Sequence, residues 1–158
     1  MLLKGSCSCG AVKFSVKAYA PVPYSRCYCS ICRKTAGCGG YSINLGAKSK
    51  TLKVKGKKNI SVYRARIGGK KSHGRRNFCK RCGSFLWVYD PDWPDLVHPF
   101  AGAIDSKLPV PPANVHIMLD SKANWVRVEG KKGDQRCREF PRQSLEEWHR
   151  ARGLLSRA

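Results

Sequence analysis

The chain has 158 residues, with 31 Lys and Arg against 10 Asp and Glu, and nine cysteines. This length fits one domain with a modest core, and no run approaches the ~20 apolar residues of a membrane-crossing helix. Residues 1–89 carry 20 Lys and Arg and no acid, Asp90 being the first carboxylate, so paired-carboxylate hydrolysis has few candidate residues.

The opening Met1-Leu-Leu-Lys4 is too short an apolar run for a secretory leader. A reducing, cytoplasmic compartment is therefore expected, in which clustered thiols bind metal rather than pair as disulfides. The first cluster is Cys7-Ser-Cys9-Gly10, followed by Ala11–Val16, whose alternation predicts a half-buried strand. Next comes Cys27-Tyr-Cys29-Ser-Ile-Cys32, followed directly by Arg33 and Lys34. Cys38 lies in the flexible run Gly37-Cys38-Gly39-Gly40. Further strands are expected at Tyr41–Leu45, Thr51–Val54, Ile60–Ala65, Phe85–Tyr89 and Trp125–Val128, with Gly and Pro in the gaps. The third cluster, Cys79-Lys-Arg-Cys82-Gly83, precedes the Phe85–Tyr89 segment.

These signals predict a mainly β fold of small antiparallel sheets, in which zinc knuckles compensate for a limited core. A zinc-binding domain over 1–130 would be followed by a polar linker and a C-terminal helix over 131–158. In that last segment Ser144-Leu-Glu-Glu147 reads as a capping box. Leu145, Trp148, Ala151 and Leu155 then mark one face of a helix of about three turns.

Sulfur arithmetic separates the clusters. Cys7, Cys9, Cys79 and Cys82 supply four thiolates, enough for a closed structural zinc site. Cys27, Cys29 and Cys32 supply three, which describes a catalytic site with one position open. Cys38, His73 or His98 would close that position if the second site were also structural. Cys137, alone in the linker, reads as an ordinary thiol, and His116 as a structural imidazole. A zinc bound by three thiolates is soft and suits a sulfur ligand, so thiol activation or carbon–sulfur chemistry is the expected use.

The order Cys7-Ser-Cys9-Gly10-Ala-Val-Lys-Phe14, Cys27-Tyr-Cys29-Ser-Ile-Cys32-Arg33-Lys34 and Phe78-Cys79-Lys-Arg-Cys82-Gly83 resembles the glutathione-dependent formaldehyde-activating enzyme family, to which centromere protein V also belongs. Gly102-Ala-Ile-Asp105 and Pro112-Ala-Asn-Val-His116-Ile through Trp125-Val126 extend the resemblance over about residues 4–128. It implies a β-tent-like fold with two zinc ions. Cys7, Cys9, Cys79 and Cys82 would be structural ligands and Cys27, Cys29 and Cys32 catalytic ones. The implied activity is that of a carbon–sulfur lyase adding glutathione to formaldehyde.

Arg33 and Lys34 are the local candidates to bind the carboxylates of glutathione or a similar anionic thiol. The alternative is a non-enzymatic zinc module that binds nucleic acid or another polyanion through residues 48–81, which hold 14 Lys and Arg and no acid.

Overall fold

The computed structural model describes residues 1–155 as short strands in small sheets, with two helices. A three-stranded antiparallel sheet orders Leu2–Ser6, Lys13–Lys17 and Lys53–Lys55. Its inner face carries Leu3, Phe14 and Val16, all buried, while Lys13 and Lys17 point to solvent. This is the period-2 alternation of a sheet with one wet face.

A five-stranded antiparallel sheet packs against that inner face, in the order Ala47–Lys48, Leu96–Pro99, Phe85–Tyr89, Arg75–Cys79, Ile60–Tyr63. Leu86, Trp87 and Val97 complete the core between the two sheets, and the Phe14 and Trp87 rings meet edge-on at 5.1 Å. Burying side chains of this size stabilises by roughly 1.5–3 kcal/mol each, so the core is small but real. A small hairpin, Arg66–Ile67 with Lys70–Lys71, extends from the basic stretch and is exposed throughout.

The fourth sheet departs from the antiparallel pattern. It runs Gln135–Arg136, Asn114–Ile117, Tyr24–Cys27, Ser42–Asn44, and both ladders made by Asn114–Ile117 are parallel. All four residues of that strand are buried, as expected of a strand covered on both faces. Residues 134–137 are therefore built into the sheet through Gln135–Arg136, although their polar sequence reads as a linker.

Two other expectations are corrected. Trp125–Val128 forms no strand: Val126 closes a turn on Ala123, and its side chain packs over Gly40, where an added Cβ would lie 2.4 Å from Val126 Cγ2. The C-terminal helix is capped by Ser144 and Glu147 as predicted, but spans only Leu145–Arg150. Gly153, at φ +63°, stops it: the Gly153 amide donates to Arg150 O and the Leu154 amide to His149 O, a Schellman closure. Trp148 and His149 are the residues this helix buries. No helix among the described residues is long and apolar enough to cross a membrane.

Candidate metal centres

Cys7 and Cys9 sit at the turn between the first two strands, and Cys79 and Cys82 at the turn between Arg75–Cys79 and Phe85–Tyr89. In each knuckle a glycine supplies the left-handed residue of the turn. Gly10 (φ +70°) donates its amide to Cys7 O, and Gly83 (φ +74°) donates to Cys79 O. The fold brings the two knuckles together, with the four ligand atoms within 4.8 Å of one another.

The Cys7–Cys9 sulfurs are 3.6 Å apart and Cys9–Cys79 3.9 Å. A tetrahedral zinc with ~2.3 Å bonds to sulfur requires edges of about 3.8 Å, so this donor set fits the ion. The Val12 amide donates to Cys7 Sγ at 3.2 Å, and Ser84 Oγ joins the knuckles by meeting both the Ser8 amide and Cys82 Sγ.

The proton balance of these four sulfurs is that of a crowded anionic set. The Ser84 hydroxyl, with the Ser84 and Cys9 amides, draws Cys82 down to about 5. The Ala11 amide pulls Cys9 the same way, but burial and the three neighbouring sulfurs outweigh it and push Cys9 up to about 11. Adjacent thiolates need a shared proton or a cation between them.

The second cluster comes from one loop. Cys27 ends the strand Tyr24–Cys27, Cys29 caps the helix Ser30–Ala36, and Cys32 lies in that helix's first turn. The Cys29 sulfur accepts the Cys32 amide at 3.3 Å, a thiol doing the work of a Ser or Asp cap. All three ligand atoms lie within 4.8 Å, with Cys27 and Cys32 buried and Cys29 half-buried.

Hydrogen bonds from Cys27 and Cys29 hold Cys32 down to about 2, against its burial, with Arg76 and Ser42 adding to the effect. The same contacts push Cys27 far above the usual thiol range, and burial adds to that. Three sulfurs this close, two of them buried, form a donor set suited to a soft cation.

None of the three fourth-ligand candidates joins this group among the described residues. Cys38 is exposed. His73 pairs with Asp92 at 2.8 Å in a separate group with the half-buried Asp90. His98 places Nδ1 3.2 Å from Leu45 O, and burial holds its pKa below the usual imidazole value, although Leu45, Asp90 and Cys32 act to raise it. The thiol that does pack against the cluster is Cys137, together with Val115, Ile117 and Met118.

Of the two expected cations, Lys34 is exposed, whereas Arg33 has a buried Nε with no hydrogen-bond partner. Sequence reasoning missed Arg76, which lies in a basic run and whose charge acts on Cys32 from the strand Arg75–Cys79. The 14 cations of residues 48–81 are spread over several strands and turns of three sheets.

A buried chain also escaped sequence reading. Tyr28, between Cys27 and Cys29, lies 2.9 Å from His116 Nδ1, and His116 Nε2 lies 3.0 Å from Asp134 Oδ2. Burial raises the Asp134 pKa, but the Asn114 amide, His116 and the Lys131 amide outweigh it and hold the carboxyl well below its usual range. The ionised Asp134 can only accept, so His116 Nε2–H donates to it, and the Tyr28 hydroxyl lies against Nδ1.

Residues 2–121 match the family model described as glutathione-dependent formaldehyde-activating enzyme. The chain belongs to this family. A Halomonas elongata protein carrying the same family designation is 56% identical over 154 residues, covering 98% of both chains. The crystal structure of a Rhodobacter sphaeroides protein aligns with a TM-score of 0.52 at 27% identity, covering 67% of this chain and 91% of that one. The family thus spans both knuckles of the four-sulfur set and the whole of the three-sulfur loop.

Proposed function

We propose that this chain is a zinc-dependent carbon–sulfur lyase-type enzyme that joins glutathione, or a similar anionic thiol, to formaldehyde. The observation that carries the reading is that the second group of close sulfurs stops at three, in a chain of this family. Cys27, Cys29 and Cys32 would hold the catalytic zinc, and Cys7, Cys9, Cys79 and Cys82 the structural one. A bound zinc at the three-sulfur set supplies a soft Lewis acid that lowers the pKa of an incoming thiol.

The chain's own residues do the rest. The cap from the Cys32 amide to Cys29 and the Tyr28–His116–Asp134 chain fix the loop on which the three sulfurs stand. Arg33, beside Cys32, binds a substrate carboxylate, with Lys34 at the solvent side. In the reaction the thiol sulfur forms a bond to the formaldehyde carbon, the carbonyl π bond breaks, and the thiol proton ends on the new hydroxyl.

The test is nuclear magnetic resonance exchange between free and hydroxymethylated glutathione, with zinc content measured on the same samples. Wild-type protein is expected to hold two zinc per chain and to exceed the spontaneous rate. Cys32→Ser is expected to hold one zinc and to lose at least ~100-fold of the catalysed rate, as when a catalytic metal site is broken. Equal rates in wild type, Cys32→Ser and buffer would overturn the reading.

A further inference from the structure

Ile60–Tyr63 and Arg75–Cys79 pair at the outer edge of the five-stranded sheet, and the chain between them runs out into the hairpin Arg66–Ile67 with Lys70–Lys71. Residues 60–79 thus form one two-stranded ribbon. Its base ends on Cys79, in the four-sulfur group, and its tip is Gly68-Gly69. Both glycines have positive φ (+55° and +80°), as a two-residue hairpin turn requires, and a Cβ added to either would meet nothing within 4 Å. The tip stands clear of the other described residues. The neck below it is fixed: Ala65 is buried, the Ser72 amide donates to Ala65 O, and Arg64 Nε donates to Ser72 O.

The charge on this ribbon is not answered within the chain. Arg66 stands directly opposite Lys71, and Ile67 opposite Lys70. Directly opposed residues share a face, so Arg66 and Lys71 repel each other across the strands, where an opposite-charge pair would stabilise. The bond from Arg64 to Ser72 O brings a third cation to the residue next to Lys71. Residues 1–89 hold no acid, and Asp92, at the ribbon's base, is taken by His73. The ion pairs among the described residues use Lys50, His73, His116, Arg138 and Arg150 as their cations. Arg64, Arg66, Lys70, Lys71 and Arg75 are all exposed and appear in none of them.

We propose that this ribbon docks on duplex DNA, entering the major groove with Arg64, Arg66, Lys70 and Lys71 against the phosphates. Shape and charge choose that partner together. The groove is about 12 Å wide and admits a two-stranded ribbon. Its phosphates supply the negative charge that the ribbon lacks and relieve the repulsion between Arg66 and Lys71. Ile67, 61% exposed beside the tip, suits apolar contact with a base edge such as the thymine methyl. Tyr63 is the one strongly exposed aromatic on the ribbon, which is too few to stack a run of unpaired bases. The surface uses none of the metal-binding cysteines, so it stands or falls separately from the thiol–formaldehyde reading.

Fluorescence anisotropy with a short labelled DNA duplex of mixed sequence tests the proposal on the zinc-loaded protein. Four phosphate contacts correspond to a slope of log affinity against log salt of about −3.6, so affinity should fall about 150-fold from ~50 to ~200 mM salt. The double variant Arg66→Gln, Lys71→Gln removes two contacts and should bring the slope to about −1.8, a fall of about 12-fold over the same range. Lys53→Gln with Lys55→Gln makes the same charge change at exposed positions of the three-stranded sheet and should keep the wild-type slope. Both variants should keep the wild-type zinc content, because all four side chains are exposed. The separated single strand should bind more weakly than the duplex.

No duplex binding at ~50 mM salt, or the same slope in wild type and the Arg66, Lys71 variant, would overturn the proposal. An equal drop in slope in the Lys53, Lys55 variant would overturn it too, since net charge and not the ribbon would then carry the binding. A single strand that binds more tightly than the duplex would replace groove docking by base stacking. Capture by phosphatidylserine vesicles with no binding to the duplex would assign the ribbon to an anionic membrane surface instead.

Discussion

The four-sulfur group draws its ligands from two hairpins 70 residues apart and leaves Cys9 and Cys82 in solvent. The three-sulfur group draws all its ligands from six consecutive residues and buries Cys27 and Cys32. Long separation suits a clasp, because closing a long loop removes more freedom from the unfolded chain. Short separation suits a reaction site, because one loop can be held rigid by its own cap and neighbours while one side stays clear. Surroundings differ in the same sense. Ser84 and backbone amides attend the first group, while arginines and the Tyr28–His116–Asp134 chain attend the second.

The largest test of this contrast is Cys79→Ser. A structural zinc in a small domain carries on the order of 10 kcal/mol of apparent binding energy, comparable to the whole stability of a domain this size. Cys79→Ser is expected to abolish cooperative unfolding, and Cys32→Ser to keep it with a Tm within about 5 °C of wild type. Thermal scans by circular dichroism check both. Similar Tm losses in the two variants would erase the distinction between clasp and reaction site.

Asp134→Asn probes the support of the three-sulfur loop and is expected to be intermediate in size. It removes the ionised end of the buried chain, so one of two zinc ions should release to chelator faster while the other keeps its wild-type rate. The Asp134 carboxyl titrates lower in the folded protein than its ordinary 3.8, so its stabilisation is present above that value. It is lost as pH falls through the folded value. The stability gap between wild type and Asp134→Asn, read by urea unfolding, should therefore narrow below about pH 4. A gap that widens on acidification would reverse the assignment of an ionised Asp134.

Ser144→Ala is the smallest. Loss of the cap should cost about 1 kcal/mol of stability and leave zinc content and thiol binding unchanged, since the helix Leu145–Arg150 serves packing. Any change in zinc release would tie this helix to the metal sites.

Much of the fold was legible locally. Phe85–Tyr89 is a strand with the expected bounds, and the Ser144–Glu147 capping box is present. Asn114–Ile117 was not, because a strand paired on both sides in parallel buries every residue and shows no alternation. The helix Ser30–Ala36 was hidden because its cap is a cysteine, a residue read first as a metal ligand. Trp125–Val128 has strand-like composition but no partner strand, and composition alone supplies no ladder.

By itself the sequence determined the two donor sets and the turns that carry them, because ligand spacing and a following glycine are local properties of the chain. It also determined the acid-free first half. The tertiary structure decided which side chains surround each set. Cys38 stays in solvent, Cys137 packs against the three-sulfur loop, and the Arg76 charge acts on Cys32 from another sheet. Those neighbours depend on strand pairing between distant segments, and pairing is chosen by what the core buries rather than by any residue's own neighbours in sequence.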